Sequence, residues 1–370
     1  MFDFGFKTEN GILVEYKGRK KNVFIPSKVV IIGKEAFSCN ETLESVTLPE
    51  SVQVIGERAF AICKNLASIT IPDSVTEIGI KAFLGCESLM RVYIGSGVRF
   101  INDSAFDFCP RLVSIVVSEN NEHFKSVSDH LYSADGSRLL RYAAMSPASS
   151  FRIPDGVTHI DDGAFSRCNN LRSVIIPEGV TRIGSAFKGC KGLVSIEIPN
   201  SVTDLGDYSF QGCDELESAV LPETFKGITR YRFAYCRKLK SVTVPKGITY
   251  VGDSAFNNCH CLQSIELPSG VTEIGGWAFY GCHSLTSIVL GEGLTRIGRE
   301  AFCGCRNLLS IVIPRSLKVM EPYALSSNPR LTDITYLGTV AEWNAMSRGL
   351  GWNNETGSYT VHCVDGDVKK

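Results

Sequence analysis

The sequence has no uninterrupted apolar run of the roughly 18–20 residues that a bilayer-spanning helix needs, so no segment of it reads as a membrane span. It has almost no net charge: 38 Lys and Arg stand against 39 Asp and Glu, leaving −1. A chain so balanced offers no global attraction for nucleic acid or an anionic membrane. The one basic run, "YKGRKKN" at residues 16–22, lacks interleaved aromatics and reads as a solvated strand end. The N-terminal stretch has scattered charges and neither an apolar core nor a small-residue cleavage site, so the chain as it stands is expected in the cytoplasm. A surface or secreted location follows instead if a leader has been removed. Histidine is scarce, six in all, and none of His123, His130, His159, His260, His283 and His362 sits in a catalytic or metalloprotease motif. There is no phosphate loop and no dinucleotide fingerprint. These absences argue against an enzyme and against a bound cofactor.

What the chain has in excess is period. "IPDSVTEIGIKAFLGCESLMRVY" (71–93) aligns without a gap on "LPSGVTEIGGWAFYGCHSLTSIV" (267–289). Proline marks the same step at Pro26, Pro49, Pro72, Pro154, Pro177, Pro199, Pro222, Pro245, Pro268 and Pro314. The step is 23 residues, with one of 22 between Pro177 and Pro199, which makes twelve units interrupted at 118–152. In "LTSIVL" the alternation at period two puts Ile288 and Leu290 inward, with Ser287 and Val289 outward, and Leu285 before the strand is also read as inward. "VTEIG" is a second short extended piece with Val271 and Ile274 inward. Gly275 and its equivalents, eight Gly with Asn102 and Asp161, suggest a left-handed corner. Ala278, Phe279, Cys282 and Leu285 share a face at helical spacing, so "AFxxCxxL" is expected to be a short helical turn. Phe recurs at the Phe279 position in all units but the last, where Leu325 stands.

The pattern "IPxxVTxIGxxAFxxCxxLxSIxIP", over residues 25–335, resembles the BspA-like leucine-rich repeat family. The resemblance implies a repeat solenoid of leucine-rich-repeat type. It would be right-handed, with a parallel β-sheet on the concave face and with short helical turns and extended segments on the convex side. It also implies relatives that act in adhesion to host or matrix proteins, and it brings no catalytic motif.

Ten of the fourteen cysteines occupy one repeat position: Cys63, Cys86, Cys109, Cys168, Cys190, Cys213, Cys236, Cys259, Cys282 and Cys305. Asn40 and Asn328 take that position in the first and last units. A small polar side chain that can bond a buried backbone group suits both residue types. The ladder is therefore expected to be free, buried, unreactive thiol, which fits a reducing compartment. Cys39, Cys261, Cys303 and Cys363 lie off it, and Cys261 and Cys303 are expected to be exposed.

The period divides the chain into an N-terminal cap (1–24), a first block of repeats (25–117), an irregular insertion (118–152), a second block (153–335) and a C-terminal cap (336–370). "LYSADGSRLLRY" reads as a hairpin about Asp135-Gly136. Thr339 and Glu342 form a capping box for a short helix. Trp343 and Trp352 are placed to cover the last repeat, and "YTVHCV" to close the sheet.

Metal ligation has one candidate set, His260, Cys261 and His283, because the two histidines fall at one position in adjacent units and Cys261 is beside them. Lys64, Glu87, Asn169, Asp214 and Arg237 at the equivalent position favour a tolerant outward site with no metal. For binding, the outward rows are the place to search, and the residues that vary on them are Tyr93, Phe100, His159, Glu197, Tyr250 and Glu266. The reading is a monomeric, non-enzymatic scaffold for an unidentified protein partner. A cell-surface adhesin is the alternative, and a metal-binding module a distant third.

Overall fold

The structure, a computed structural model, describes residues 5–102 and 104–370. The first four residues of the expected N-terminal cap, and Asp103, lie outside the described residues. The chain packs as two compact units. One runs through Ser149 and includes Pro154–Leu171 and Arg182–Phe187; the other holds Ser150–Ile153, Arg172–Thr181 and Lys188–Lys370.

Within each unit the chain is a β-solenoid, and every 23-residue turn builds three walls. The serine wall comes from the "SIxI" segments, such as Ser45–Thr47, Ser68–Ile71, Arg91–Ile94 and Ser114–Val117, paired in parallel at a 23-residue offset. Side chains alternate along each of these strands as a pleat requires. Ile288 and Leu290 are 2% exposed while Val289 between them is 63% exposed. The "VTxI" segments build a second parallel sheet, the corner wall, from two-residue strands such as Val54–Ile55, Glu77–Ile78 and Phe100–Ile101. Each turn therefore serves two sheets.

The third wall, made by "xxAFxxCxxL", is not helical. Among the described residues the one α-helix is Val340–Ala345, in the C-terminal segment. A helix needs uninterrupted right-handed dihedrals, and here left-handed residues recur twice per turn, as at Arg58 (φ 52°) and Ile62 (φ 59°), then Lys81 (φ 55°) and Gly85 (φ 71°). The alternation aims backbone N–H groups at the next turn. Arg58 donates to Ile80 O at 2.9 Å, Phe60 to Ala82 O at 2.8 Å and Ile62 to Leu84 O at 2.6 Å. A left-handed L-residue costs roughly 1–2 kcal/mol, and the buried peptide groups satisfied in exchange oppose that cost.

The expected left-handed corner is corrected by the same geometry. Gly56, Gly79, Gly252, Gly275 and Gly298 do not have positive φ. They are glycine because the neighbouring turn's backbone lies against them: a Cβ on Gly275 would fall 2.6 Å from Asp253 N, and one on Gly79 2.8 Å from Gly56 C. The positive φ comes two residues later, at residues such as Lys81 and Trp277.

The core is the stack itself. Phe37, Phe60, Phe83 and Phe106 lie ring on ring with centroids 4.9–5.4 Å apart, and Phe210, Phe233, Phe256, Phe279 and Phe302 repeat this in the second unit at 5.1–5.5 Å. Beside them the ten ladder cysteines are at most 1% exposed and form no disulfides. Seven of these thiols donate to a phenylalanine carbonyl of the preceding turn, among them Cys63 to Phe37 O at 3.1 Å, Cys86 to Phe60 O at 3.2 Å and Cys282 to Phe256 O at 3.2 Å. Burial pushes the thiols of Cys63, Cys109 and Cys305 up to about 12.

Both ends and the interruption are hairpins. Phe6–Glu9 and Ile12–Tyr16 turn at Asn10 (φ 47°) and Gly11 (φ 78°), the signs a tight hairpin turn demands. His130–Ser133 and Arg138–Arg141 pair antiparallel about Asp135 and Gly136, and Arg138–Arg141 then continues the corner wall beside His159–Ile160. At the C-terminus the Thr339–Glu342 capping box starts the helix. Thr360–Cys363 extends the serine wall and is closed by Gly366–Lys369. Trp343 is 3% exposed, Trp352 is half-buried, and the Arg348 guanidinium lies over both rings, 4.3 and 5.3 Å from their centroids.

Candidate binding surface

The outward positions are set by the pleat, so within each sheet the strands present one row per strand position. On the serine wall Tyr93 (39% exposed) stands in register between Thr70 and Val116. Glu197 faces out beside Val220. Glu266 is also exposed, but residues 264–266 form no strand, so that position breaks the ladder. The same outward position is apolar and solvent-facing at Val116 in the first unit and at Ile175, Val220 and Val289 in the second.

Phe100, His159 and Tyr250 are on corner-wall strands, each in a different sheet. The six sequence-selected residues therefore divide three and three between two walls. Phe100 is 68% exposed on the last corner-wall strand of its sheet. His159 sits in register between Arg138 and Arg182, with its Nδ1 2.8 Å from Thr158 Oγ1. Arg138 makes a two-pronged contact with Asp161, Nε at 3.2 Å from Oδ1 and Nη2 at 2.6 Å from Oδ2. Together with Asp162 these residues line a small polar cleft. Tyr250 lies in register between Gly227 and Glu273 and lines a second cleft with Asp207, Thr229, Arg230 and Asp253.

His260 and His283 stack face to face with ring centroids 4.6 Å apart. Burial, then the charge of Arg237, holds His260 below the usual imidazole range; burial, His260 and Arg306 do the same to His283. Stacked parallel rings do not converge their nitrogens on one point, and among the described residues no group of three His, Cys, Asp or Glu side chains is arranged to hold a metal. Cys261 and Cys303 are half-buried rather than fully exposed, and Cys39 is exposed.

Surface charge follows the repeat as well. Lys21–Glu44, Lys34–Glu57, Lys238–Glu215 and Lys240–Glu217 pair across adjacent turns at 2.6–2.9 Å, all well exposed. Such pairs contribute little stability individually; their effect is to neutralise the surface locally, in keeping with the small net charge.

Sequence reading missed the buried arginines. Arg141 and Arg232 are 3% and 1% exposed and stand where other turns have alanine, as at Ala59, Ala82, Ala255 and Ala278. Arg141 donates to the carbonyls of Gly163 and Ser166 and lies 3.6 Å from Asp107. The signal was present as a departure from the repeat, Arg for Ala, at a position the period marks as core.

The comparisons agree with this architecture. Three segments, 15–132, 142–260 and 226–347, match the model of the BspA type leucine rich repeat region. None of the curated proteins matches the chain. Among solved structures, a leucine-rich repeat protein from Eubacterium ventriosum is 26% identical over 78% of this chain and 86% of its own, with a TM-score of 0.69. A leucine rich cell surface protein from Faecalibacterium prausnitzii is 28% identical over 94% of this chain and 97% of its own, with a TM-score of 0.54. Among the described residues no helix is long and apolar enough to cross a membrane. The chain belongs to the BspA-type leucine-rich repeat family.

Proposed function

We propose that the chain is a monomeric, non-enzymatic scaffold that binds a protein partner on its outward rows. The observation that carries this is the serine wall. A row of exposed Val, Ile, Tyr and Thr side chains, with Tyr93 between Thr70 and Val116, is held on a backbone fixed by bonds on both sides. Apolar side chains aligned on a rigid, nearly uncharged face suit a protein surface better than a small charged substrate. Glu197 and Glu266 on the same wall, and Phe100, His159 and Tyr250 on the corner wall, supply the variation from which specificity is built. The test is capture of partners from native lysate by the wild-type chain and by Val116→Glu and Val289→Glu. A partner retained by the wild type and lost by either folded variant supports the reading; partners held equally by all three refute it.

A second reading, a cell-surface adhesin, is favoured by the Faecalibacterium prausnitzii relative, which is called a cell surface protein. Labelling of intact cells with an antibody to this chain, and binding of the purified chain to immobilised host matrix proteins, separate it from an internal scaffold.

A further inference from the structure

On the third wall, one left-handed position reads Tyr208, Tyr231, Ser254, Trp277, Glu300 and Tyr323 over six successive turns, with φ between 54° and 61°. Bonds between turns hold this row in register. Tyr231 N donates to Asp253 O at 2.9 Å, Ser254 N to Gly276 O and Trp277 N to Arg299 O at 2.8 Å, and Glu300 N to Pro322 O at 3.0 Å. The rings face along the stack: Tyr208 and Tyr231 lie nearly parallel with centroids 4.9 Å apart.

Aromatic faces in this row carry the chain's own cations. Lys188 and Arg230 lie over Tyr208, 5.1 and 5.8 Å from its centroid. Trp277 and Tyr323 stand two turns apart, and the Arg299 guanidinium is 6.0 and 5.9 Å from their two centroids. Glu300, in the turn between, holds that guanidinium. Arg299 Nε donates to Glu300 Oε1 at 3.1 Å, while Glu300 Oε2 accepts from Trp277 Nε1 at 3.1 Å. Two rings, a guanidinium shared by both and a carboxylate beside it make a complete cation–π site.

Tyr231 and Trp277 repeat the two-turn spacing, but the turn between them has Asp253 and Ser254 where the other has Arg299 and Glu300. The carboxylate is kept, moved by one residue, and the cation is not supplied. Ser254 is short and 2% exposed, so its side chain does not fill the slot between the rings. Asp253 is exposed, its Oδ1 accepts from Gly276 N at 2.7 Å, and among the described residues no Lys or Arg pairs with it. Arg230 leans the other way, its Nη2 donating to Tyr208 Oη at 3.1 Å. Tyr231 is part-exposed and Trp277 is 38% exposed. Turns about 4.8 Å apart put the two rings about 9.6 Å apart. A cation midway is then about 4.8 Å from each, inside the reach of about 6 Å over which a ring attracts one.

We infer that the Tyr231–Trp277 slot binds one guanidinium group, an arginine side chain of the protein partner, with Asp253 as its counter-charge. This rests on the reading of the chain as a protein-binding scaffold and names the side chain that anchors the partner on the third wall. A guanidinium is the cation that fits because the chain itself places one in the neighbouring slot. A neutral ligand leaves Asp253 uncompensated, and an anion is repelled by it.

The test is a titration of the full chain, read on the Trp277 indole N–H by NMR, with Nα-acetyl-arginine methylamide, its lysine and citrulline counterparts, free arginine and choline. The arginine amide should saturate in the millimolar range, as a single part-exposed contact does, and the uncharged citrulline amide should not. Asp253→Asn and Tyr231→Ala should each weaken binding by roughly fivefold or more. Asp253→Arg with Ser254→Glu copies the neighbouring slot and should abolish binding by supplying a guanidinium from within. Arg299→Ala removes the guanidinium between Trp277 and Tyr323, so a second equivalent of the arginine amide should bind there beside Glu300. Melting curves check that each variant is folded, and Asp253→Asn, a change of one exposed group, serves if the double variant is not. Failure of the arginine amide to saturate overturns the inference, as does binding that Asp253→Asn and Tyr231→Ala leave unchanged. Equal binding of the citrulline amide overturns the role of charge. Tighter binding of choline or the lysine amide overturns the guanidinium, and tighter binding of free arginine overturns a protein as its source. No partner enters this titration, so its failure leaves the scaffold reading standing, and partners held equally by Val116→Glu and Val289→Glu leave the arginine slot standing.

Discussion

Asn328 Nδ2 lies 3.0 Å from Phe302 O, the relation that Cys305 Sγ holds to Phe279 O at 3.2 Å. An amide and a thiol thus do one job, satisfying the same buried carbonyl in successive turns. The ladder is selected as a hydrogen-bond donor of small volume, not for sulfur chemistry. Cys282→Ala should cost about 1–3 kcal/mol, the penalty of leaving one buried acceptor unpaired, measured by chemical denaturation. Cys282→Ser keeps a donor and should cost less than Cys282→Ala. Native-state thiol labelling should reach at most Cys39, Cys261, Cys303 and Cys363, with the ten ladder thiols reacting only after denaturation. Rapid labelling of all fourteen in the folded chain would show that the ladder is open.

Gly79 and Lys81 lie two residues apart and respond oppositely to substitution. Gly79→Ala puts a Cβ against the backbone of Gly56, where nothing flexible can yield, and should destabilise by about 1–3 kcal/mol. Lys81 is exposed at φ 55°, so Lys81→Gly relieves a left-handed side chain and should be neutral or stabilising by up to about 1 kcal/mol. Thermal melts of the two variants against the wild type decide both signs.

That pair also shows what one sequence can and cannot reveal. The inward positions were legible: Ile288, Leu290, Val271 and Phe279 follow from periodicity because burial selects residue type directly. The capping box at Thr339 was legible for a similar reason, since its chemistry is local. Gly79 was legible as a glycine but not as to cause. A single chain shows that a side chain is excluded, not whether a dihedral angle or a neighbouring backbone excludes it. The left-handed positions were invisible because Glu35, Arg58, Lys81 and Trp277 share no composition; bonds to the next turn impose their φ. For the candidate site, sequence reading found Tyr250 as a variable outward residue. It did not find Arg141 or Arg232, whose burial shows only once the fold is displayed.

His130 supplies a pH-dependent part of the stability. It is 3% exposed, stacks on Tyr142 with centroids 4.0 Å apart, and its Nδ1 accepts from Ala143 N at 3.2 Å, which requires the ring to be neutral there. Burial lowers it from 6.5 to about 4, with Asp129 opposing. The unfolded chain therefore takes up this proton first. The stabilisation is fully present above pH 6.5 and is lost as pH falls towards 4, amounting to on the order of 3 kcal/mol. Denaturation of the wild type and His130→Gln at pH 7 and pH 4.5 should show a steeper loss in the wild type. Equal slopes would mean that the ring is already protonated or solvated in the folded state.

The C-terminal segment should prevent self-association as well as cover the core. Tyr323, Leu325 and Ser327 point their N–H groups out of the last turn of the third wall, and the carbonyls of Leu350, Trp352 and Asn354 accept them at 3.2, 2.7 and 2.8 Å. Ser347–Arg348 and Thr360–Cys363 cover the last strands of the two sheets in the same way. Ending the chain at residue 348 removes the three acceptors and the closing hairpin, and leaves the third wall and the serine wall with open rungs. Open rungs are templates for another chain. Light scattering on the truncated chain should therefore show concentration-dependent association beyond that of the full chain. Trp343→Ala in the full chain keeps those acceptors in place but removes a buried ring from under Arg348, so it should lower stability by about 3–5 kcal/mol without association. Association in Trp343→Ala to the same degree as in the truncation would shift the protective role from the backbone bonds to the aromatic cover.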